Sequence, residues 1–240
     1  MNSLRDIDIT FDFRSDTPAD KDPDSFSSTL RIYHKLLWSK PLPNDVVFDL
    51  DDTPPNAYLY HRSEVGEFYL ASDAVIPTFN REPKISHVID QIPLEERESF
   101  NYIGYTIGGM IIFPGNKIGR KMTINGARGF HPRIKDRFDL TVECIRRHYL
   151  GEWNPLSEPL ERYGNFFRLF SNFQGYVKFF LLQDLVSEDF SSVKFFTPFE
   201  DFNTSPLPGS MDAYRVYRHL AVDFINARNQ RIIEYCRHAG

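Results

Sequence analysis

The chain has 240 residues, with 28 Lys and Arg against 33 Asp and Glu, for a net charge of −5. That length supports one substantial core, and an isoelectric point near 5.8 argues against broad, non-specific nucleic-acid binding. Two cysteines exclude a disulfide framework, and no run approaches 18 apolar residues, so the expectation is a cytoplasmic protein that is neither exported nor membrane-spanning.

Residues 5–13 alternate, with Ile7, Ile9, Phe11 and Phe13 on one face, and predict a strand. After an Asp- and Pro-rich loop, Ser25 or Ser27 can cap a helix that carries Leu30, Tyr33 and Leu37 inward and stops before Pro41 and Pro43. Residues 46–50 and 57–61 read as strands, and 67–70 as a weaker one. Ile85, Val88, Ile89 and Ile92 make a short helix broken at Pro93, followed by a second over about 94–103. Met110 to Phe113 is an apolar run with the look of a buried strand, turned by Pro114, Gly115 and Asn116.

A charged helix follows, with Ile134, Phe138, Val142, Ile145 and Tyr149 on its core side. Asp139, Glu143, Arg146 and Arg147 fall on the far side, and Glu143 to Arg147 is the favourable i, i+4 order. Ser157 caps a long aromatic segment of two helical pieces meeting near residues 172–175, whose phenylalanines at helical spacing read as core. Residues 193–196 suggest a last strand. A final helix after Pro206 and Pro208 carries Tyr214, Tyr217, Leu220 and Phe224 on one side. With no repeat and no linker, the reading is a single domain over 1–240. Its class is α+β, with strands mostly in the N-terminal half and helices mostly in the C-terminal half.

Between Lys117 and His148 there are nine Lys or Arg against three Asp or Glu. Such an excess inside an acidic chain implies either a bound anion or a lattice of ion pairs. Gly126 and Gly129 flank Arg128 closely enough to let the backbone adopt positive φ and approach a ligand. A guanidinium held there offers a planar fork to phosphate or carboxylate. Asn125, Arg128, His131, Arg133 and Arg137, at the entry to a helix, therefore form a candidate phosphate-binding set. No metal is expected, because the histidines are dispersed and no HExxH occurs.

Two short motifs suggest specific chemistry. Val46 to Thr53, an apolar run ending Asp49-Leu50-Asp51-Asp52-Thr53, matches the first signature of the haloacid dehalogenase class. That resemblance implies Asp49 as nucleophile and Asp51 as acid/base with Mg²⁺, although Pro54 and Pro55 obstruct the helix the class requires. The plainer alternative is a strand ending in an acidic turn. Leu59 to Ser63 is similar to the first NAD-contacting motif of some ADP-ribosyltransferases, in which a strand ends His-x-Ser. The resemblance implies NAD as cofactor and His61 at its ribose, with Ser63 in support. Tyr69 and Glu200 take the aromatic and acidic roles by elimination.

Longer phrases, among them LRIYHKLLWSKPLP, IGYTIGGMIIFPGN, TINGARG and DRFDLTVECIRRHYLGE, resemble a family of uncharacterised bacterial proteins along nearly the whole chain. The combined expectation is a bacterial enzyme acting on a phosphate-bearing ligand, either NAD or another nucleotide or a nucleic acid. ADP-ribosyl transfer in a toxin or defence setting is the favoured chemistry. The alternative is a non-catalytic interaction or nucleic-acid-binding protein whose arginines are ion-paired.

Overall fold

The computed structural model describes residues 3–52, 58–76, 79 and 82–239. The N-terminal part carries α1 (Pro23–Phe26) and α2 (Ser28–Trp38). Helix α2 starts where the Ser27 hydroxyl accepts the Leu30 amide at 3.0 Å, the cap expected from the sequence, and it buries Leu30, Tyr33, His34, Leu37 and Trp38. Strands β1 (Leu59–Ser63), β2 (Gly66–Ala74) and β3 (Met110–Pro114) form one antiparallel sheet in the order β1-β2-β3. Between β2 and β3 lie α3 (Ser86–Ile89) and α4 (Leu94–Gly104). The rest is helical: α5 (Ile124–Phe130), α6 (Phe138–Tyr149), α7 (Ser157–Arg162), α8 (Gly164–Arg168), α9 (Phe173–Phe179) and the long α10 (Met211–Ala239). The class is α+β, as expected.

Three predicted strands are absent. Residues 5–13 form a 3₁₀ turn over Leu4–Asp6 followed by further turns. Ile7, Ile9 and Phe11 still lean on the core and Phe13 is fully buried. Over 46–50 there is only an isolated bridge between Pro41 and Val47, and over 193–196 only one between Val186 and Val193. Alternation can place side chains on a core, but a strand also needs a neighbouring backbone with free donors and acceptors.

Helix α6 also departs from expectation. It starts at Phe138, and Asp139 and Glu143, placed on the solvent side by periodicity, are 0% and 3% exposed. Their partners explain the burial. Asp139 holds Arg137 and accepts the Phe196 amide at 2.9 Å, while Glu143 binds Arg146 at 2.8 Å and Arg147 at 2.7 Å.

The aromatic segment breaks into three helices, with Phe166, Phe170, Tyr176 and Phe180 at its buried centre. The first turn of α9 is tight: a Cβ on Gly175 would lie 2.1 Å from the Phe170 carbonyl oxygen, so only glycine fits. Helix α10 then ties this aromatic layer to the sheet. Arg228 donates to the carbonyls of Gly108 and Met110 at 2.9 and 2.7 Å and to that of Phe180 at 3.1 and 3.2 Å. The Asn229 side chain accepts the Gly108 amide at 2.7 Å and donates to Thr106 Oγ1 at 3.0 Å.

Candidate functional site

The end of β2 gathers a cluster of carboxyls. Asp73 on β2 lies with Asp136 around the Arg128 guanidinium, and Asp24 on the short α1 is close enough to feel the charge of all three. Arg128 pairs with Asp73 at 2.5 Å and Asp136 at 2.8 Å. It also donates to Thr141 Oγ1 at 3.2 Å and to the carbonyls of Ala74 and Asp136 at 3.2 and 2.8 Å. Two carboxylates therefore share one guanidinium while the nearby Asp24 carboxyl pairs with no cation among the described residues, and the cluster carries surplus negative charge in a poorly solvated place. Burial, Asp73 and Asp22 push the Asp24 carboxyl well above its usual range. Burial, only partly offset by Arg128, pushes Asp73 up to about 6. Both groups hold protons where an exposed carboxyl would not.

Three polar atoms beside this cluster are shut off from solvent and make no hydrogen bond among the described residues: Asp24 Oδ1, Asn125 Oδ1 and the Tyr58 hydroxyl. Orphans of this kind each cost about 1–3 kcal/mol, and native proteins carry few of them. Asn125 is held by donating its Nδ2 to the Ser72 carbonyl at 3.1 Å. Tyr58 stays a neutral phenol, its pKa raised by burial and by Asp24. Its ring lies 5.2 Å from the Arg31 guanidinium, whose Nε donates to the Tyr58 carbonyl.

A fixed relay runs into the same place. The Trp38 indole N–H, which can only donate, lies 3.0 Å from His34 Nδ1, so Nδ1 accepts and Nε2 carries the proton. His34 Nε2 then donates to Ser72 Oγ at 3.0 Å, leaving the Ser72 hydroxyl hydrogen to point onward, near Tyr58. Burial lowers the His34 pKa to about 3. The pair therefore fails as a nucleophile and base, because His34 presents a hydrogen to the serine and resists taking another. It is a rigid donor chain.

The residues singled out from the sequence disperse. Asn125 and Arg128 belong to this cluster, but Gly126 and Gly129 sit within α5 and positive φ occurs instead at Gly119. The Arg128 fork is committed to internal partners and, at 0% exposure, has nothing left for an external phosphate. Arg137 is buried against Asp139, Thr197 and the Pro206 carbonyl, where it pins the 196–206 segment to α6. His131 caps the end of α5 and lines a separate groove with Phe130, and Arg133 stacks on Trp153.

His61 and Tyr69 occupy opposite faces of the sheet. His61 pairs in register with Phe68 and packs on Phe48, whereas Tyr69 stands over Tyr60 with ring centres 5.1 Å apart. His61 Nδ1 bonds the Asp49 carbonyl at 2.8 Å, and Glu200 is exposed on the segment before α10. These three do not meet in one pocket. Asp51 itself forms an antiparallel bridge with Tyr60, with Asp49 just before it, rather than the two ending a parallel strand; Thr53 of that motif, with Pro54 and Pro55, lies outside the described residues. Asp24, His34, Tyr58, Ser72 and Asp73 carried no sequence signal, since they come from α1, α2, β1's approach and β2.

Residues 7–232 match the DUF6994 family, a family of unknown function. The chain belongs to that family. Neither curated proteins nor solved structures give a match. No described helix is long and apolar enough to cross a membrane, and no described group of three His, Cys, Asp or Glu side chains is placed to hold a metal.

Proposed function

We propose that this DUF6994 chain is an enzyme acting on a ribosyl-bearing ligand, a nucleoside or a nucleotide such as NAD, at the Asp24–Asp73 cluster. The observation that carries this reading is the convergence of three orphaned buried polar atoms on surplus carboxyl charge. Asn125 Oδ1 and the Tyr58 hydroxyl suit sugar hydroxyls. Protonated Asp24 suits a leaving group that needs a proton, and ionised Asp73 suits positive charge developing on the sugar carbon as the glycosidic bond breaks. Hydrolysis and ADP-ribosyl transfer share that charge development. A cytosolic setting, rich in nucleotides and reducing to both thiols, fits this ligand class.

The first test is thermal. NAD or adenosine at about 100 times its Kd adds roughly 2.7 kcal/mol, or about 5–10 °C for a chain of this size. Asp24→Asn should erase that shift and, without ligand, melt a few degrees higher than the wild type at pH 7. The sign follows from linkage. Asp24 and Asp73 have folded pKa values above their unfolded ones, so the folded state binds more protons and this contribution weakens as pH rises above about 4, through 6 for Asp73 and until the raised pKa of Asp24 is passed. The variant should therefore show a flatter loss of stability across that window. No response of the wild type to either ligand at millimolar concentration would end this reading.

A second reading rests on the far face of α5, where a groove of about 700 Å³ is lined by Arg120, Lys121, His131 and Arg162, with Phe130 77% and Met122 55% exposed. Beside it Arg133 stacks at 5.8 Å on Trp153. Cations interleaved with open aromatic rings suit a single-stranded nucleic acid. Arg120→Glu with Phe130→Ala should leave melting unchanged yet abolish retention of a short oligonucleotide. Wild-type affinity should fall steeply with salt. A wild type that ignores the oligonucleotide at low salt would leave this face to ion pairing alone.

A further inference from the structure

Lys40 sits where α2 ends. Its amide donates to the Trp38 carbonyl and its carbonyl accepts the Phe48 amide, both at 2.9 Å, which aims the side chain under α10. Only 8% of the residue is exposed. The Nζ lies 4.8 Å from the ring centres of Trp38 and Phe179 and 4.5 Å from that of Tyr235. No carboxylate among the described residues pairs with it, and it stands on the floor of an open cavity of about 500 Å³ walled by Leu42, Pro43 and Leu181, with Lys178 on the rim. A structural lysine would be expected to reach an acid or bulk water. This one reaches no acid among the described residues, and water only through the cavity.

We propose that Lys40 is a nucleophilic amine that forms an imine with a small 2-oxo acid or aldehyde bound in this cavity, with Lys178 available to a carboxylate. The titratable and charged groups facing it are Arg228, Tyr235 and Cys236 from α10 and Lys178 from α9. The three rings favour the ammonium. Burial and then Arg228 favour the free amine, lowering its pKa to about 7, the combination used to activate lysines for carbonyl chemistry.

In the first step the amine lone pair attacks the carbonyl carbon, forming C–N, and an amine proton passes to the former carbonyl oxygen. In the second the remaining N–H proton and that hydroxyl leave as water, giving C=N with no change of oxidation state. Tyr235, kept protonated because burial raises its pKa, lines the cavity and relays this proton, giving its own to the departing hydroxyl and taking back the one that leaves the nitrogen.

The test traps the imine. The wild type is incubated with glyoxylate and sodium cyanoborohydride from pH 6 to 10, and lysine modification is mapped by peptide mass spectrometry. At pH 7 an amine titrating near 7 has on the order of 10³ more free base than an exposed lysine. Lys40 should therefore be modified at least tenfold faster than the exposed Lys84, with half-maximal rate near pH 7. Lys40→Arg, which keeps the charge inside the cage, should lose the fast product while melting as the wild type does. Lys40 modified no faster than Lys84, a rate rising only above pH 9, or a fast product surviving in Lys40→Arg would each overturn the proposal.

Discussion

Arg128→Ala should lower the melting temperature by on the order of 10 °C. The guanidinium is fully buried and joins Asp73, Asp136, Thr141 and two backbone carbonyls. Burial works against its charge, but Asp136 and Asp73 more than compensate and raise its pKa. Removing it strands two carboxylates in a place already overloaded with negative charge. Breaking a buried pair from one side costs about 3–5 kcal/mol, and each kcal/mol moves the midpoint by roughly 2–4 °C at this size. Arg128→Lys should fall between the two, since a point charge replaces the fork. Circular dichroism melts decide it: a fall of less than about 3 °C for Arg128→Ala would show that the guanidinium does not hold β2, α5 and α6 together. The sequence alone suggests the opposite, a guanidinium presented to a ligand and dispensable to the fold.

Arg228→Met should be at least as damaging. Arg228 is fully buried and pairs with no carboxylate among the described residues, and burial pulls its pKa down to about 9. Its value to the fold lies in direction rather than net charge, because its donors fasten the carbonyls of Gly108, Met110 and Phe180. Methionine fills the stem's volume but leaves those oxygens facing an apolar side chain, at about 1–3 kcal/mol each. The expected result is a loss of about 4 kcal/mol or more, read as a drop in midpoint above roughly 10 °C. The near-ultraviolet dichroism of the packed aromatics should weaken well below the melt. A variant that melts within about 3 °C of the wild type would mean that water or backbone shifts satisfy these carbonyls.

What could be read from residue order alone is whatever depends on neighbours along the chain. Ser27 caps α2, the stripe of Phe138, Val142 and Ile145 turns inward, Met110 to Phe113 forms a buried strand, and the phenylalanines after Ser157 pack as core. Caps and helical stripes are set within one or two turns of backbone, so local sequence suffices. The strands expected over 5–13 and 193–196 failed because pairing requires a distant partner that the pattern cannot supply.

The candidate site was the least legible part for the same reason. Arg128 meets Asp73 across 55 positions and Asn125 meets Ser72 across 53, while Asp24 arrives from a four-residue helix near the start. A cationic stretch reads identically whether its arginines face a ligand or buried aspartates. Only tertiary packing settles the matter, because it decides which carboxylates are removed from water and left close enough to claim the guanidinium.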